Sequence, residues 1–150
     1  DTVLENINKF LIRDENQLAL KIIDTDSSTG AFTVAQALDK FTELNQKVAE
    51  RLIENDQSYT VLENFDKFSV IDESQLILKI IKCDSDGTDF AVDNLDKFKN
   101  LSKQVVSEII KNETSLHQST TLSEELSLNL GSFTEEAKGL IKETYPTITN

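Results

Sequence analysis

The chain repeats itself, and that repeat limits what it can fold into more than any other feature. Residues 2–34 match residues 60–92 without a gap at 19 of 33 positions. Thr-Val-Leu-Glu-Asn-Ile-Asn-Lys-Phe from Thr2 returns as Thr-Val-Leu-Glu-Asn-Phe-Asp-Lys-Phe from Thr60, and Asp14–Ile23 returns as Asp72–Ile81. After a slip of one residue, residues 38–55 match residues 95–112 at 8 of 18 positions. Internal duplication of this kind marks a fold assembled from copies of one supersecondary unit.

A finer motif ending in Lys-Phe occurs four times, at Glu5–Phe10, Gln36–Phe41, Glu63–Phe68 and Asp93–Phe98, with a degenerate fifth start at Thr121. The implied unit of roughly 30 residues accommodates one helix of about 22 residues, about 33 Å long, and a connection.

The apolar spacing reads as helical. Val34, Leu38, Phe41, Asn45, Val48 and Leu52 follow a 4-3 alternation, and Leu95, Phe98, Ser102, Val105 and Ile109 repeat it. This places one apolar seam on each of two helices. Phe41 and Phe98 sit mid-seam and are expected to be almost fully buried. Asn45 and Ser102 occupy the same central place, either as a point where the helix opens to solvent or as a polar contact that fixes register.

Asp14 and Asp72 interrupt the other two seams. Asp14…Gln17 and Asp72…Gln75 resemble capping boxes, so a break or kink is expected near residues 12–14 and 70–72. A further capping box, Ser132…Glu135, precedes a last helix that Pro146 stops. No stretch sustains the period-2 alternation of a strand.

The fold expected is therefore all-α. It is an antiparallel helical bundle of two tandem repeats of about 58 residues, 2–59 and 60–117, with a C-terminal helical segment over 121–146, all in one domain. An open solenoid of hairpins is the alternative arrangement.

Charge narrows the function. Twenty-seven acids against 15 Lys and Arg give a net charge of −12, the opposite of the basic patches that bind nucleic acid. No run is long and apolar enough for a membrane span. A chain that starts at Asp1 and contains no Met reads as a processed mature chain or an excised fragment. With the sequons at Asn100 and Asn112, candidate glycosylation sites, it suggests a secreted protein. One cysteine, Cys83, excludes an internal disulfide framework.

Catalytic and metal signatures are missing from the pattern. Counting twelve-residue calcium loops from Asp24 and Asp84 puts Thr29 and Asp89 where Gly is required, and Ala35 and Leu95 where Glu is required. A bundle di-metal site needs paired Glu-x-x-His motifs, but the one histidine, His117, follows Thr114 by three residues. That histidine lies in a Ser/Thr-rich link with nothing to position it as a base. No catalytic residue, metal ligand or cofactor site is assigned.

Two readings remain. One is a non-enzymatic interaction protein that engages a protein partner through helix faces. The other is a carrier of an apolar small molecule, a fatty acid or similar lipid, held in the bundle interior by Ile7, Phe10, Phe41, Phe65, Phe68 and Phe98.

Overall fold

Short helices joined by extended corners make up almost all of the computed structural model, which describes residues 15–112 and 119–146. The helices are α1 (Glu15–Thr25), α2 (Ser27–Gln36), α3 (Gln46–Glu54), α4 (Ser58–Glu63), α5 (Glu73–Cys83), α6 (Gly87–Asp93), α7 (Lys103–Lys111), α8 (Ser119–Leu128) and α9 (Glu135–Thr144). Two strands of two residues, β1 (Leu44–Asn45) and β2 (Phe68–Ser69), pair in parallel, Leu44 opposite Phe68. Leu101 and Phe133 form one further parallel bridge. The chain divides into two compact units that part between Ile71 and Asp72, whereas the sequence repeat would cut it at 59/60.

The class is all-α, as the spacing predicts, but the helices are not the long ones expected. The longest described helices have 11 residues. The seam from Val34 to Leu52 is not one helix: Val34 lies in the last turn of α2, Leu38 opens a 3-10 turn, Phe41 is extended, Asn45 lies in β1, and only Val48 and Leu52 share α3. The second seam breaks in the same way, between the 3-10 turn Leu95–Lys97 and α7.

Two local devices cause these breaks. Asparagine ends the helices: the side-chain amides of Asn64, Asn94 and Asn129 each donate to the carbonyl four residues back, at 2.8–2.9 Å. The backbone there has left helical geometry, with φ from −116 to −119°. A single 3-10 turn follows Asn94 and Asn129, and also Ala37, which stands in the asparagine's place without a side-chain bond; it is closed by the next Phe N–H: Phe41 to Leu38 O and Phe98 to Leu95 O at 3.1 Å, Phe133 to Leu130 O at 3.2 Å. Each of these Phe residues is extended, so the chain turns a corner before the next helix. The fifth occurrence of the motif is thus Asn129–Phe133, not a start at Thr121.

Side chains at the starts of helices hold the corners. In the N-terminal unit Glu15 accepts the N–H groups of Thr42 (2.8 Å) and Glu43 (3.4 Å), and Asn16 Oδ1 accepts that of Asn45 (2.7 Å). In the C-terminal unit Glu73 accepts from Lys99 and Asn100, at 2.9 and 3.1 Å, and Ser74 Oγ accepts from Ser102 at 2.8 Å. Corner N–H groups are thereby satisfied by side chains.

Asn45 and Ser102 accordingly do neither thing expected of them. Asn45 is the N-cap of α3, its side chain accepting from Val48 N–H at 3.1 Å. Ser102 precedes α7 and makes no side-chain cap bond. The break near 70–72 is present, with Asp72 Oδ1 accepting from Gln75 N–H at 3.0 Å; the one near 12–14 lies outside the described residues. The last helix is capped by Thr134, which accepts from Ala137 N–H, rather than by Ser132. Ser132 is buried, and its hydroxyl donates to Leu95 O.

Glycines fix how closely the hairpins pack. A Cβ on Gly30 would lie 2.1 Å from Ile22 O, and one on Gly87 would lie 2.1 Å from Ile80 O. Each glycine therefore lets the second helix of a hairpin, α2 or α6, rest on the backbone of the first, α1 or α5. Gly30 and Gly87 stand 57 residues apart. The one-residue slip between the halves thus falls in the hairpin turn, before these glycines.

Candidate functional site

The clearest difference between the two segments that match in sequence is in the burial of one apolar stripe. Leu18 and Ile22 of α1 match Leu76 and Ile80 of α5. In α5, Leu76 and Ile80 are fully buried, as is Ile77 on the neighbouring stripe. In α1, Ala19 and Ile23 are buried, but Leu18 and Ile22, about 100° round the helix, are only half-buried.

Leu18 and Ile22 open into a groove of about 410 Å³ between α1 and α2, walled across by Thr29, Gly30 and Thr33. Two of the three threonine hydroxyls in the lining are turned to backbone carbonyls. Thr25 Oγ1 donates to Lys21 O at 2.7 Å and Thr33 Oγ1 to Thr29 O at 2.9 Å, so both are satisfied within their own helix. Lys21 and Asp26 supply the charges of the lining. Gly30 contributes by omission, since it brings α2 down onto α1 and sets the depth of the cleft.

Exposed aromatics add to the surface of the same unit. Phe32 on α2 is 55% exposed and Tyr59 on α4 is 58% exposed. They lie 27 residues apart, the spacing that separates Phe41 from Phe68, so they hold the same place in successive motifs. The Tyr59 phenol is raised above its ordinary 10.0 by a hydrogen bond to the Glu63 carboxylate and by that group's charge.

A second concavity, of about 610 Å³, lies in the C-terminal unit beside α5 and the segments leading into α7 and α9. Its lining mixes Leu78 and the aliphatic stems of Lys79 and Lys82 with hydroxyls and amides.

Four of the six residues chosen from sequence for an apolar ligand are among the described residues. Ile7 and Phe10 lie outside the described residues. Phe98 is 2% exposed and Phe68 6% exposed, both as corner residues of the core. Phe41 and Phe65 are half-buried, so the expectation of near-complete burial holds for Phe98 and fails for Phe41. The reason is local: Phe41 stands at an extended corner rather than on a helix seam. None of the four described phenylalanines lines either concavity.

Of the proposed sequons, Asn100 is exposed, whereas Asn112 spends its side-chain amide on Glu108 O at 2.8 Å. Cys83 is exposed at the end of α5, and His117 lies outside the described residues. Among the described residues no three His, Cys, Asp or Glu side chains gather to hold a metal ion, and no helix is long and apolar enough to cross a membrane.

No protein-family model matches the sequence, and no curated protein or solved structure is similar to it.

Proposed function

We propose that the chain is a non-enzymatic interaction protein that engages a partner through the helix face of α1 and α2. One observation carries this reading. The stripe that α5 buries completely at Leu76 and Ile80 is open at Leu18 and Ile22 of α1, over an apolar groove. A helix that keeps the apolar pattern of a buried one yet leaves a stripe uncovered is suited to receive another helix. The partner chemistry is an amphipathic helix with apolar residues at i, i+3, i+4 and i+7. The net charge of −12 favours a basic outer face on that helix.

The architecture belongs to the same reading: two tandem copies of a helical unit, with neighbouring helices antiparallel. The repeated corner bonds, Glu15 and Asn16 in one half and Glu73 and Ser74 in the other, support it. So do Gly30 and Gly87. Secretion is part of the proposal and rests on the exposed sequon at Asn100.

The test is binding of a panel of basic amphipathic helical peptides, followed by fluorescence anisotropy. Saturable binding that Leu18→Asp and Ile22→Asp abolish, and that Leu128→Asp leaves intact, supports the reading. No binding across the panel sinks it. The carrier alternative draws on the groove volume, which lies within the roughly 300–1,000 Å³ typical of ligand pockets. Its mark is a rise in melting temperature with fatty acids that the peptides do not produce.

A further inference from the structure

We propose that Asn100 carries an N-linked glycan and that the groove of the C-terminal unit seats its first sugars. The inference rests on the secreted reading above and is independent of the partner face on α1.

The sequon Asn100-Leu101-Ser102 lies on extended backbone between the 3-10 turn at Leu95–Lys97 and α7. Leu101 is bridged to Phe133, and Ser102 has ψ of 165°. Side chains alternate from one side to the other along extended chain. Leu101 accordingly points inward and is fully buried. Asn100 and Ser102 take the other side, and both line the groove of about 610 Å³. Glu73 and Ser74 hold this corner by accepting the N–H groups of Lys99, Asn100 and Ser102. These bonds use only the backbone of the sequon. The Asn100 side chain is exposed and makes no hydrogen bond to a described residue, and Ser102 makes no side-chain cap bond. The amide and the hydroxyl that define a sequon thus face one open surface. Asn112 differs, because its amide donates to Glu108 O at 2.8 Å at the end of α7.

The transfer joins Asn100 Nδ2 to C1 of the first N-acetylglucosamine. The bond from C1 to the oxygen of a polyprenyl diphosphate donor breaks, and one amide proton leaves with the diphosphate. The groove then has an occupant tethered to its own wall. A short tether gives an effective concentration on the order of millimolar, so shallow contacts are enough. A sugar has apolar ring faces and polar edges. The lining offers both kinds of contact, with Leu78 and lysine stems beside Ser74, Gln104 and Thr134. No aromatic side chain offers a stacking face, so the tether supplies what the lining does not.

The experiment expresses the full chain behind a cleavable signal sequence in a eukaryotic host and reads the intact mass of secreted and cell-retained protein. A single glycan is expected. It should be lost in Asn100→Gln and in Ser102→Ala, which leaves Asn100 in place, and kept in Asn112→Gln. Its absence from the unsubstituted chain, or its survival in Asn100→Gln, overturns the site. A glycosylated chain that stays in the cell supports the site and counts against secretion alone. Seating is read by 1H–15N NMR after an endoglycosidase trims the glycan to its first sugar. Compared with the same chain made without glycan in a bacterial host, the amides of Ser74, Leu78 and Lys82 should shift, although all are remote from Asn100 in sequence. Shifts confined to residues 99–102 overturn the seating. None of these outcomes bears on the groove at Leu18 and Ile22.

Discussion

Replacing Gly87 by alanine should destabilise the C-terminal unit, while the same replacement at Gly139 should stabilise it. A Cβ at residue 87 would come 2.1 Å from Ile80 O, 2.8 Å from its carbonyl carbon and 2.8 Å from Ile81 Cα, where ordinary contacts lie at 3.4–4 Å. All three atoms are backbone, so no side chain can swing away, and α6 must lift from α5 by more than 1 Å. Overpacking of this kind costs about 1–3 kcal/mol. It also pulls apart a crossing that buries Ile80, Ala91 and Val92. At Gly139, in the middle of α9, nothing lies within 4 Å of the added methyl. There alanine reduces the entropy of the unfolded chain and gains about 0.4–1 kcal/mol. The two variants should thus differ by about 1.4–4 kcal/mol, and both glycines belong to one compact unit. Urea unfolding followed by circular dichroism reads this as midpoints displaced in opposite directions with unchanged slope. Equal stabilisation by both substitutions would refute the close crossing of α5 and α6.

Other expectations are simpler. Phe98→Ala should cost about 3–5 kcal/mol in urea titrations, and Phe41→Ala clearly less, because Phe98 is 2% exposed and Phe41 only half-buried. Ser58→Ala should raise stability by about 1 kcal/mol in the same assay. The Ser58 hydroxyl is buried without a hydrogen bond, and alanine already stands at the matching place, Ala31. Glu63→Gln should lower the tyrosinate titration of Tyr59 toward 10.0, read by ultraviolet absorbance with Tyr145 as the internal reference. The raised value means the hydrogen bond to Glu63 stabilises the native state below the ordinary value and is lost as pH climbs through the native one.

Helix content and several of the connections were legible because asparagine or aspartate follows most of the helices, at Asp26, Asn55, Asn64, Asp84, Asn94, Asn112 and Asn129. The corner elements were not. Val34, Leu38, Phe41, Val48 and Leu52 satisfy a helical spacing on paper, yet a helix, a 3-10 turn, an extended corner and a second helix carry the same residues inward. Periodicity alone does not separate the two arrangements; Asn64 and Asn94 before two of the Leu/Phe-Asp-Lys-Phe motifs are a local signal that does, but Ala37 before the motif at Leu38 gives none. The fifth motif escaped notice because Gly131 and Ser132 replace its Asp-Lys pair. The pairing of Gly30 with Gly87 was hidden by a gap-free match that aligned Phe32 with Phe90 instead. The groove itself could not have been read from sequence, since α1 and α5 carry nearly the same residues and differ only in what covers them.

The account turns on one claim, that Leu18 and Ile22 are open in the native protein while Leu76 and Ile80 are closed. Thiol labelling tests it directly. With Cys83 replaced by serine, single cysteines are placed at residues 18, 22, 76 and 80, and reaction with a small maleimide is followed by mass spectrometry under native conditions. Residues 18 and 22, half-buried, should label in the folded protein, and residues 76 and 80 only as fast as it unfolds. Equal protection at all four positions would contradict the account, because α1 would then have no open face to offer a partner.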